Sequence, residues 1–313
     1  MNHIQIVVLL MTLTACGPQT PSFVQTLPSR SELAIAAERV EHLAITCDDL
    51  VTANRPHGLT QRPECDTGDS MLFSALSLFG KDNQERVFAM KSSFGEDGRP
   101  FRSPEDLRAG GGDKSFSRDM TMGVLVYLAL SRDVDLARRF WAYIFTHSYN
   151  VCPMKNGSCL LTPAMLAVFR DVWRHIGLEP PKETAFVRWV DEETLFQTVA
   201  SVDPGYQLHL VSVNVFIRLL TGNLTQRYRT VMDRIVAKQP ENPWYRYLQW
   251  KLQQRPTHEL APLADLTRIQ LSMWPRGIQT DWSFEKGDLD EGFRDSMGHE
   301  WILLANLLIK EGY

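Results

Sequence analysis

The sequence predicts an all-α fold, and three observations predict it. Apolar residues recur at helical spacing, as in Leu33, Ala36, Ala37, Val40, Ala44, Cys47 and Leu50 after Ser31. Helix starts and stops punctuate the chain, with Thr162-Pro163 and Asn242-Pro243 as starts and Gly80, Gly177 and Gly222 as stops. No stretch alternates strongly enough to predict a sheet, and any short strands are left to the loops.

Taken in order, the first helix runs over residues 31–50. Asp69 precedes an apolar run over 71–79. Asp82-Asn83-Gln84-Glu85 has the form of a capping box, with Asp in the usual Ser or Thr place, and starts a helix to Ser92. Residues 94–117 read as one long loop, holding Gly95, Gly98, Pro100, Pro104 and Gly110-Gly111-Gly112. Such loops are often functional. A strongly apolar helix covers 118–130, and Asp133 or Asp135 opens the next, to Tyr149. Thr162-Pro163 begins a helix that ends at Gly177, residues 183–202 form one broken helix or two short ones, and Pro204-Gly205 is a turn. Helices follow over 206–220, 224–238 and 243–253. A loop with Pro262, Pro275, Gly277 and Gly287 leads to a last helix over 296–310.

Two kinds of helix alternate. Those at 71–79, 119–130, 207–220 and 297–309 are apolar nearly all round, with 163–169 a weaker case, and such helices are buried. Those at 33–50, 82–92, 134–149, 225–238 and 243–253 are amphipathic. Alternation of this kind describes stacked helical hairpins that close into a double ring, an (α/α) toroid. The alternative is an irregular helical bundle or an open solenoid. No residue-level repeat is visible.

The N-terminus carries an apolar run from Ile4 to Met11 broken only by Gln5, then Leu13-Thr14-Ala15-Cys16. This is a secretory signal too short to span a bilayer. It resembles the lipobox of bacterial lipoproteins, although the n-region has His3 and no Lys or Arg. The resemblance implies cleavage before Cys16, acylation of that cysteine and membrane anchoring. It divides the chain into a signal peptide (1–15), a Gly- and Pro-bearing tether (16–30) and a single helical domain (31–313). Gly17, where Asp would retain a lipoprotein in the inner membrane, implies an outer-membrane location facing the periplasm.

With Cys16 acylated, Cys47, Cys65, Cys152 and Cys159 remain. An even number in an exported chain suggests disulfides, and four cysteines allow three pairings. The local pairing, Cys47–Cys65 and Cys152–Cys159, closes the shortest loops. Neither spacing is that of a structural zinc site, so no metal is expected.

Hydrophobic residues make up 44% of the 313 and charged residues 22%, as in ordinary globular proteins. With a net charge of −4 and no basic stretch, nucleic acid is not expected as a partner. The glycine triplet lacks the Lys-Ser/Thr of a phosphate loop, and neither G-x-S-x-G nor H-E-x-x-H occurs. Nothing calls for a cofactor.

The hairpin alternation resembles the (α/α) toroids of the six-hairpin glycosidase group, which includes glycoside hydrolases and polysaccharide lyases. The resemblance spans most of the mature chain and is one of pattern; no family catalytic signature is matched. It implies a cleft at one end of the inner barrel, on loops and helix ends. Four inner-type helices are entered through polar segments: Gly68-Asp69-Ser70, Ser117-Arg118-Asp119, Tyr206-Gln207 with His209, and Asp295-Ser296 followed by His299-Glu300. The loops 94–117 and 272–295 would rim that mouth and supply Phe94, Phe101, Arg102, Trp274, Trp282 and Phe284.

Glycosidic cleavage takes a pair of carboxyls. Asp119 and Glu300 are the expected acid/base pair, Asp69, Arg118 and His299 the substrate-positioning residues, and Trp282 the stacking residue. A lyase would use His299 or Tyr206 as base and Arg118 against a uronate carboxylate. Each has a structural reading beside the functional one. Asp69 and Asp295 are acceptable N-caps, Asp119 can pair with Arg118, and tryptophans pack. Glu300 and His299 read as charged residues inside an apolar helix, which need a partner or a cavity. The alternative function is a non-catalytic envelope lipoprotein binding glycan or a protein partner.

Overall fold

A computed structural model describes residues 29–49, 71–72, 75–76, 78, 84–108, 110, 116–152, 159–182, 206–240, 242–273, 276–278, 293–295 and 299–313. The fold is all-α. Its helices are α1 (Arg30–Asp49), α2 (Gln84–Ser92), α3 (Pro104–Arg108), α4 (Arg118–Ser131), α5 (Val134–Thr146), α6 (Pro163–His175), α7 (Tyr206–Thr221), α8 (Gln226–Lys238), α9 (Pro243–Gln253), α10 (Ala261–Met273) and α11 (His299–Lys310). A 3₁₀ turn (Thr257–Leu260) leads into α10. Strands β1 (Arg276–Ile278) and β2 (Phe293–Asp295) form one antiparallel ladder, with Arg276 opposite Asp295.

Local chemistry sets the helix ends. Thr162 caps α6 by accepting from the Met165 N–H, and Asn242 caps α9 by accepting from the Trp244 and Tyr245 N–H groups. Proline follows each cap, where its missing N–H costs nothing. Gly177 and Gly222 sit just past α6 and α7 at φ of +84° and +73°, the left-handed stop that glycine tolerates.

Several expectations are corrected. The span 94–117 is no structureless loop: Phe94 and Pro100 form an antiparallel bridge, and α3 follows. Within it Pro100 pairs in the bridge, Gly98 and Gly110 sit in turns at positive φ, and Pro104 is the first residue of α3. The same misreading hid α10, where Pro262 is the second helical residue, a position at which proline is tolerated. Asp295 closes strand β2, and the described part of the last helix covers His299–Lys310. Helix α5 ends at Thr146, because Ser148 and Tyr149 take positive φ. Helix α9 is buried rather than amphipathic and outward: Trp244, Tyr245, Tyr247, Leu248, Trp250 and Leu252 are all in the core. Its bulky aromatics cover most of its circumference, and the polar residues fill only a strip between them.

Side-chain contacts fix the helix directions. His175 at the end of α6 lies 3.1 Å from the Ala129 carbonyl near the end of α4. Asp171 in α6 pairs with Arg218 near the end of α7. Helices α4, α6 and α7 pack against one another and end together, so they run in the same direction. Arg218 lies over the Tyr228 ring, and Gln249 and Gln253 donate to Asp233, which folds α7, α8 and α9 into antiparallel neighbours. Helix α9 thus runs with α7. Tyr247 and Lys251 of α9 meet Glu311 just after α11, so α11 ends at the same end. We call that end the base. The intervening α5, α8 and α10 run back. Helix α2 departs from the pattern: Lys91 near its end pairs with Asp133 at the start of α5, at the base.

The buried faces of α4, α6, α7, α9 and α11 make one core, with Tyr127, Phe169, Phe216, Trp244 and Trp301 fully enclosed. Gly123 lets α4 approach the helical residues Met71 and Leu72, where an added Cβ would meet the Leu72 Cα at 2.6 Å.

The link from α5 to α6 is stapled. Cys152 and Cys159 form a disulfide with Cα atoms 5.4 Å apart, as expected from sequence. Val151 donates to the Cys159 carbonyl and Leu161 to the Tyr149 carbonyl. The Asn150 Oδ1 accepts from both cysteine N–H groups, at 3.1 and 3.2 Å. Cys65 lies outside the described residues, so the other pairing has no structural counterpart here. Replacing Cys152 and Cys159 with serine is expected to cost about 2–3 kcal/mol, by the entropy of so short a loop. Equilibrium urea unfolding of the variant against the oxidised parent measures it; no change would mean that the hairpin holds without its bond.

Candidate functional site

Among the described residues, the end opposite the base holds the capped start of α4 and the first described turns of α7 and α11. The Ser117 hydroxyl accepts from the Met120 N–H, which sets Arg118 and Asp119 as the first two residues of α4. Arg118 points to solvent and Asp119 is half-buried. Behind them the Thr121 hydroxyl, fully buried, donates to the Ser117 carbonyl. The described part of α11 starts with His299 and Glu300, and that of α7 with Tyr206. The β1–β2 ladder bridges α10 and α11 at this same end, and the stapled hairpin stands beside the start of α6. Parallel helices present partly positive starts and partly negative ends, so the start of α4 favours an acid such as Asp119 and the base favours basic side chains.

Asp119 and Glu300 stand on helices with different neighbours: α4 packs on α5, α6 and α7, whereas α11 packs on α1 and α10. Asp69, Trp282, Trp274 and Phe284 lie outside the described residues, as does Cys16. Phe94 and Phe101 are buried, so these two rim aromatics serve as core. They pack on Phe140 and under Arg99, respectively.

His209, one turn into α7, is enclosed, and burial pulls its imidazole down to about 3. It is neutral at neutral pH. The sign follows directly: the unfolded chain takes up a proton near pH 6.5 that the folded chain resists, so stability is full above that pH and declines as pH falls toward 3. The expected decline approaches about 1.4 kcal/mol per pH unit in that window. Urea unfolding between pH 7 and 4 measures it, and His209→Leu should flatten the curve; an unchanged slope would assign the acid sensitivity elsewhere.

Sequence reasoning missed a buried ion cluster at the base. Asp171, 2% exposed, accepts from Arg170 Nε at 3.0 Å and pairs with Arg218 Nη1, and Arg174 lies 3.9 Å away. Burial, with the charge of Arg170, pulls the Arg218 guanidinium down to about 10, and it stays charged at neutral pH. The signal available was Arg170-Asp171 and Arg218 embedded in apolar helical runs. The cluster sits where three helix ends converge, so it offsets their negative poles.

Among the described residues no group of three His, Cys, Asp or Glu side chains is placed to hold a metal ion, and no helix is long and apolar enough to cross a membrane. No protein family, no curated protein and no solved structure matches the chain.

Proposed function

We propose that this chain is a lipid-anchored envelope protein whose helical domain is an (α/α) toroid acting on polysaccharide. The observation that carries the reading is the common direction of α4, α6, α7, α9 and α11. It supports a single mouth at the helix starts, where Arg118-Asp119 and His299-Glu300 belong. In this reading Asp119 and Glu300 share the acid and base roles at a glycosidic bond. Arg118 and His299 hold the substrate, with Asp69 and Trp282 contributing at the rim. Arg118, first in its helix and in solvent, suits a sugar carboxylate.

The test is to purify the chain from Gly17 onward, screen neutral and uronate polysaccharides for cleavage, and repeat with Asp119→Asn and Glu300→Gln. Removing an essential acid or base should lower turnover by about 10²–10⁴-fold in each variant at unchanged melting temperature. Cleavage that survives both substitutions would remove this pair from the mechanism. Glycan binding without cleavage by the parent would replace the enzyme with a binding protein.

A further inference from the structure

No further inference is drawn: the strongest candidate, the exposed apolar side chains of Phe145, at the end of α5, and Leu160, on the stapled link to α6, carries nothing, because nothing in the structure shows what covers them.

Discussion

Asp171→Ala is expected to destabilise the protein by about 3–5 kcal/mol, a large part of the stability of an ordinary domain. The carboxylate is shared by two guanidiniums that are 5% and 2% exposed at the side chain, so water cannot take over its role. Arg218 is further committed by its position over the Tyr228 ring, 5.4 Å from the centroid, and cannot swing out without breaking the α7–α8 contact. Asp171→Asn keeps the volume and removes the charge, and should lose nearly as much. By contrast, replacing Arg170, Asp171 and Arg218 together with apolar residues of similar size should recover much of the loss, because desolvation of the ions disappears with them. Equilibrium urea unfolding of the three variants decides it. A loss below about 1 kcal/mol for Asp171→Ala would put the cluster in the class of surface pairs.

Gly98→Ala is expected to cost about 2–4 kcal/mol, from two causes acting together. Gly98 has φ of +85°, a conformation that side chains rarely adopt, and a Cβ there would lie 2.3 Å from the Arg139 carbonyl oxygen. The obstacle is helix backbone, which cannot step aside. The turn is held against α5 by the Arg139 guanidinium, which donates to the Gly95 carbonyl at 3.3 Å, so the hairpin cannot lift freely either. Gly98→Asn separates the causes: asparagine accepts positive φ more readily but still meets the helix. Gly95→Ala is the control, since its nearest obstacle is the movable Asp97 carboxylate. Thermal unfolding should rank Gly95→Ala as mild and both substitutions at 98 as severe. A mild Gly98→Asn would assign the cost to backbone conformation rather than collision.

These two positions show what was legible in advance. Gly98 was visible as one glycine among several in a stretch read as loop. Its importance comes from Arg139, a residue 41 positions along the chain that the fold lays beneath it. Asp171 and Arg218 were visible only as charges inside apolar helices; their pairing spans 47 positions. Local signals carried the elements whose ends are set by their own residues: Thr162 and Asn242 as helix starts, Gly177 and Gly222 as stops, and the Cys152–Cys159 staple, whose partners are seven residues apart. The same signals misled where proline was ambiguous, because Pro104 and Pro262 start helices as readily as they break them.

The sequence by itself determined the all-α class and most of the helices, through spacing and capping, which act within a few residues. It also placed Arg118 and Asp119 at a helix start, since that position follows from the helix boundary. Only the tertiary structure decided that α9 is buried, that α4, α6, α7, α9 and α11 end together at one base, and that Asp171 binds arginines from two helices there. Those facts depend on which faces meet across distant segments. That choice is made by burial and charge pairing summed over the whole core, and no local stretch of sequence contains it.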